Sequence, residues 1–235
     1  MIFGKFREAL QKMPRAGEFA LVITLCFGYS IVTSIRAFFL DPQVESLGGL
    51  ALVRWTLFKI ARLSVASYIL TVRGWDLHQL GFRFSWLGIL AGVPVWLGYL
   101  CLYVAAFFLA LFYYPLAIDP HSNFFLEGST AVLLVAILIN SIFEETVVTG
   151  YVVGALSTYG VVISIAASAL IRLSYHLFYG PATFVFILPM GLVFPLVYWK
   201  WRNLWPLISA HSLHNIWIIL IVPYLEANYF QRGCC

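Results

Sequence analysis

Residues 140–150 read NSIFEETVVTG, and they stand inside a long apolar run. Two carboxylates, Glu144 and Glu145, are adjacent there. An acidic group at membrane depth costs about 2.5–3.5 kcal/mol on insertion scales. The composition shows that membrane depth is the right setting. The chain of 235 residues is 62% hydrophobic and only 10% charged, and its mean hydropathy is +0.92. A soluble domain is about 45–50% apolar and about 25% charged. Its 13 Tyr, 8 Trp and 20 Phe suit a chain with many interfacial anchors. The net charge of +4 forms no basic patch, so a nucleic-acid partner is not expected; membrane lipid is. Backbone in lipid must satisfy its own hydrogen bonds. The expected fold is all-α, a polytopic transmembrane helical bundle.

A span needs roughly 20 mostly apolar residues. Seven stretches qualify, at about 18–40, 47–72, 84–114, 128–157, 161–177, 182–199 and 204–225, and six to eight are compatible with the pattern. The second is interrupted by Arg54, Lys59 and Arg62, whose charges would also suit a helix lying partly in the interface. The start, MIFGKFREALQKMPRAGEF, reads as a basic amphipathic lead-in rather than a cleavable leader. Alternate loops differ in charge. The N-terminus holds Lys5, Arg7, Lys12 and Arg15, the loop after the second span holds Arg73 and Arg83, and the loop after the sixth holds Lys200 and Arg202. The loops at about 41–46 and 115–127 hold Asp41, Glu45, Asp119 and Glu127 instead. This alternation predicts a cytoplasmic N-terminus in a multi-pass protein, with the cell membrane as its expected place. Cys26 and Cys101 are expected to be packing residues. The pair Cys234-Cys235 reads as an incidental tail, with lipidation the lesser alternative.

Polar residues are few in the last four spans. The fourth holds Asn140, Glu144 and Glu145, the fifth Arg172 and His176, and the seventh His211, His214 and Asn215. The fourth and fifth form an antiparallel hairpin turning near Tyr159-Gly160. Glu144 and His176 then lie at one level, each about 16 residues from Gly160 at about 1.5 Å per residue. His211 and Asn215 share a helical face, and His214 is one step round. Such a cluster can activate water. A carboxylate drawn partly out of water can serve as general base, and a nearby His can share the work. His211 and the Asn215 amide can donate to an oxyanion in a dry site. The blander readings stand beside this one. An intramembrane Asn also serves as interhelical glue, and proton transport uses the same residue types.

Glu-Glu in FEETVVTG, His in RLSYHLFYG and His-x-x-x-Asn in SAHSLHNIW resemble the CAAX-prenyl-protease and bacteriocin-processing family of intramembrane proteases. RGWDLHQLGFRFSWLGILAG also resembles the lead into that family's core. The resemblance covers residues 73–225. It sets off a basic segment at 1–17, accessory helices at 18–72 and a tail at 226–235. It implies a membrane endopeptidase in which Glu144 activates water with His176, His211 and Asn215 stabilise the oxyanion, and Glu145 supports. Arg172, Asn140 and His214 are expected as supporting residues. The implied substrate is a membrane-associated or lipidated protein or peptide, cut near its C-terminus.

Two positions depart from the family pattern. The first motif usually reads Glu-Glu-x-x-x-Arg, and here Thr149 takes the last place. The second usually has Phe four residues before its His, and here that residue is Arg172. In the hairpin register residue 171 faces Thr149. Arg172 is therefore expected to pair with Glu145 and replace the missing guanidinium, with Arg54 and Arg62 as lesser donors. A non-catalytic scaffold of the same fold and a proton-coupled transporter remain alternatives. No cofactor is expected. His176, His211 and one carboxylate could hold zinc, although no His-Glu-x-x-His signature is present.

Overall fold

The computed structural model describes residues 2–40, 47–113 and 126–225. Asp41, Glu45, Asp119 and the Cys234-Cys235 tail lie outside the described residues. A short helix, α1 (Ile2–Lys12), precedes the membrane helices. Among the described residues six helices are long and apolar enough to cross a bilayer: α2 (Arg15–Leu40), α3 (Gly49–Val72), α4 (Trp86–Tyr113), α5 (Thr130–Ala155), α7 (Ala182–Trp201) and α8 (Trp205–Tyr224). The protein is a multi-pass membrane protein built as a helical bundle. Between α5 and α7 stands the shorter apolar helix α6 (Val161–Ser174).

The fifth expected span is thus shorter than its sequence range. At 14 residues, α6 rises about 21 Å, against about 30 Å of hydrocarbon. A turn, Leu177–Tyr179, follows it. Within a bilayer irregular backbone is tolerated only where protein satisfies it. Ser34 of α2 accepts from the Phe178 N–H at 2.9 Å, and Thr183 of α7 donates to the His176 carbonyl at 2.8 Å. The second expected span is one continuous helix, long and apolar enough to cross a bilayer. Its buried residues Leu52, Thr56, Lys59, Ala66, Ile69 and Leu70 recur at helical spacing, so one stripe faces the bundle.

Helix α5 is central. Of its most apolar stretch 56% is buried, against 11% in α4, whose outer face meets lipid. On one side Val147, Val148, Tyr151 and Val152 pack with Val22 and Phe27 of α2 and with Ala66 and Ile69 of α3. On another, Val153 packs with Tyr99 of α4, Phe194 of α7 and Leu207 of α8. The expected α5–α6 hairpin is present. Gly160 begins α6 at φ +96°, a conformation that glycine adopts without a Cβ clash. Ser168 of α6 donates to the Val148 carbonyl at 2.7 Å. Two short segments, β1 (Leu47–Gly48) and β2 (Leu126–Glu127), pair in parallel.

Glu18 of α2 anchors the region before α3's exit loop. It accepts from Arg73 Nε at 2.7 Å, Trp75 Nε1 at 2.8 Å and Tyr151 Oη at 3.2 Å. Arg73 also donates to the carbonyls of Leu10 and Gln11, which ties α1 to the bundle. Cys26 is buried as expected, but Cys101 is exposed. It lies on α4, most of which faces outward, so an apolar run does not make each of its residues a packing residue.

Close helix contacts in lipid depend on small residues. A Cβ on Gly92 of α4 would lie 2.5 Å from Ser209 Cβ and 2.9 Å from the Pro206 carbonyl oxygen, both on α8. Gly92→Ala should therefore push α4 from α8 and cost about 2 kcal/mol, measurable as a lowered thermal-unfolding midpoint in detergent. An unchanged midpoint would mean that the two helices separate freely there.

Candidate active site

Adjacent residues on a helix point about 100° apart, so two neighbouring carboxylates can both be buried only where protein surrounds the helix. Glu144 and Glu145 occupy such a place: they are 4% and 0% exposed. From Glu145 to Tyr151 the helix also widens into a π-turn, a distortion that tends to occur at functional sites.

Glu145 is fully engaged. Arg172 Nη2 donates to both of its oxygens at 2.9 Å. Thr149 Oγ1 donates to Oε2 at 2.7 Å and accepts from Arg172 Nη2 at 3.3 Å. His211 Nδ1 lies 2.6 Å from Oε1. A carboxylate has no proton to give, so Nδ1 carries the hydrogen and His211 Nε2 is left for other partners. The pairing of Arg172 with Glu145, expected from the hairpin register, is thus in place, with Thr149 as a relay between them.

Glu144 is engaged unevenly. Its Oε2 accepts from Tyr175 Oη at 2.8 Å and lies 3.5 Å from Arg172 Nη1. Its Oε1 has the Lys59 ammonium at 3.6 Å, an ion-pair distance beyond a good hydrogen bond. Lys59 itself donates to Asn140 Oδ1 and sits 3.8 Å over the Trp55 ring. The expected lesser donors, Arg54 and Arg62, do not reach either carboxylate. Arg54 is exposed, and Lys59 alone of the three cations lies on the buried stripe.

His176 follows Tyr175 in the turn after α6. Its Nδ1 is 2.9 Å from the Arg172 carbonyl, an acceptor, so Nδ1 carries the hydrogen and Nε2 holds the lone pair when the ring is neutral. The ring meets Tyr175 at 4.4 Å, tilted by 41°, and runs nearly parallel to Tyr179 at 6.1 Å. Asn215 is half-buried and shares the His211 face of α8.

His214 does not join this group as a supporting residue. It turns to α4, with Nε2 3.2 Å from Tyr99 Oη and its ring edge-on to Tyr99 and Tyr103. The one-step rotation from His211 is enough to aim it at a different helix. Sequence reasoning missed Tyr175 and Lys59. The signal for Lys59 was its four-and-three spacing from Leu52 and Thr56; Tyr175 differs from other Tyr only in its place beside His176. Among the described residues no three His, Cys, Asp or Glu side chains converge as a metal centre would require.

Removing one partner of a buried ion pair leaves a bare charge. Arg172→Gln should cost about 3 kcal/mol or more in unfolding free energy and lower the unfolding midpoint. Thr149→Arg in that background should restore part of the loss, because it returns a guanidinium to Glu145 from within α5. A silent Arg172→Gln would overturn the account of this pair.

The site can now be set beside known proteins. No curated protein and no solved structure matches the chain. A family model described as Type II CAAX prenyl endopeptidase Rce1-like matches residues 126–217. The matched span runs from β2 through the hairpin into α8 and includes Glu144, Glu145, His176, His211 and Asn215. The region that assembles the buried carboxylates and histidines is therefore similar to the CAAX prenyl endopeptidases, a family of proteases.

Proposed function

We propose that the protein is an intramembrane endopeptidase that hydrolyses a peptide bond through a water activated by Glu144. The observation that carries this is the unequal use of the two carboxylates. Glu145 spends both oxygens on Arg172, Thr149 and His211. Glu144 is held by Oε2 while Oε1 keeps only the distant ammonium of Lys59. Oε1 is then the oxygen that takes a proton from water, and His176 Nε2 is a second acceptor on the same side chain cluster. Protonated His211, oriented by Glu145 through Nδ1, donates from Nε2 to the oxyanion, joined by the Asn215 amide. The proton on Glu144 passes to the leaving amine as the tetrahedral intermediate collapses. The guanidinium of Arg172 keeps Glu145 anionic and in place without entering the reaction.

The substrate in this reading is a membrane-associated or lipidated protein or peptide cut near its C-terminus. A helix of 14 residues, about 21 Å long against about 30 Å of hydrocarbon, supports access from within the bilayer. The charge alternation of the loops supports a cytoplasmic N-terminus, with the α5–α6 and α7–α8 turns on the same side.

Purified protein in lipid should cut peptides in a mixed pool of membrane peptides, read by mass spectrometry. Glu144→Gln should fold and lose about 100-fold or more in rate. Fragments that persist with Glu144→Gln would overturn the assignment. Exhaustive chelation should leave the rate unchanged, whereas loss with recovery on zinc addition would replace the metal-free mechanism by a metal-assisted one.

A further inference from the structure

The proposed machinery comes from residues 126–217, yet one charged atom beside Glu144 comes from outside that span. Lys59 stands on α3, is 9% exposed, and points its ammonium into the site. A Lys at the centre of a lipid-facing helix would normally extend to the interface. This one is held in three ways: Asn140 Oδ1 accepts from it, the Trp55 ring lies under it at 3.8 Å, and the Phe143 centroid is 5.3 Å away. These contacts hold Nζ at 3.6 Å from Glu144 Oε1, short of a tight hydrogen bond.

We infer that Lys59 is a positioning residue for Glu144: caged by Trp55 and Asn140, its ammonium keeps the carboxylate turned and charged while leaving Oε1 open to water. This rests on the reading of Glu144 as the water-activating base. It makes α3 a working part of the active unit rather than an accessory helix. It also gives Asn140 a role that interhelical glue alone does not describe, since the amide oxygen holds the ammonium back. Arg172 cannot substitute. Its guanidinium is committed to Glu145 and meets Glu144 only through Oε2 at 3.5 Å. A compact ammonium on a flexible stem suits the remaining place, where a planar fork would close on both carboxylate oxygens.

The test uses the full chain in lipid with a peptide that the wild type cleaves. Lys59→Met should lower kcat on the order of 100-fold with KM little changed, because the substitution alters the base and not the substrate surface. Lys59→Arg should recover part of kcat by returning the charge, and Asn140→Ala should give an intermediate loss. In Lys59→Met/Glu144→Gln the rate should fall no further than in Glu144→Gln alone. Wild-type kcat in Lys59→Met beside a dead Glu144→Gln would overturn the inference and leave the reading of Glu144 standing. An active Glu144→Gln would instead overturn the reading itself. A thermal-unfolding cycle of the same four proteins reads the pair without turnover: non-additive shifts support it and additive shifts overturn it.

Discussion

The bundle depends on neutralising two adjacent buried carboxylates, Glu144 and Glu145. Neither can be left bare, because desolvated charge costs several kcal/mol per ion. Each recruits a cation from a different helix: Lys59 of α3 for Glu144, Arg172 of α6 for Glu145. His211 of α8 completes the set. Lipid tails offer no hydrophobic drive for helices to associate, so this cluster specifies which helices meet around α5. The apolar packing of Val147, Val148 and Val153 then fills the space that the charges define.

The same constraint explains why the regular helices fail where they do. A straight α6 crossing the whole bilayer would carry the residues after Arg172 up and around the helix. Ending it at Ser174 lets Tyr175 reach Glu144 while His176 turns back on the Arg172 carbonyl. The freed backbone is then bonded by Ser34 and Thr183, side chains contributed by the helices on either side. The π-turn in α5 and the short α6 are two departures from regular helix, and both sit against the carboxylates.

Much of this was legible in the sequence because it follows from periodicity. The spans, the Gly160 turn and the level shared by residues 144–149 and 172–176 all come from counting along helices. So does the pairing of Arg172 with Glu145, since a hairpin register fixes which residues can meet. What escaped depends on rotation between helices that are distant in sequence. Lys59 stands 81 residues from the Asn140 that holds it, and the cations of α3 looked alike until the stripe on which each lies was known. His214 failed as a member of the site for the converse reason. It is near His211 in sequence and on the wrong side of α8.

The relocation of the guanidinium from position 149 to position 172 changes more than its address. An arginine at 149 would satisfy Glu145 from four residues along the same helix and would tie α5 only to itself. Arg172 makes the same bond across the hairpin, so the charge that keeps Glu145 buried also fixes α6 against α5. The vacated position is not empty of function. A threonine hydroxyl can donate and accept at once, and Thr149 does both, to Glu145 and from Arg172. The exchange therefore preserves the anion's neutrality while converting a local contact into a tertiary one. It places Arg172 one turn from His176, whose ring is oriented by the Arg172 carbonyl. The residue that neutralises Glu145 thus also sets the direction of the His176 ring, and the two departures from the family pattern act as a single compensated change.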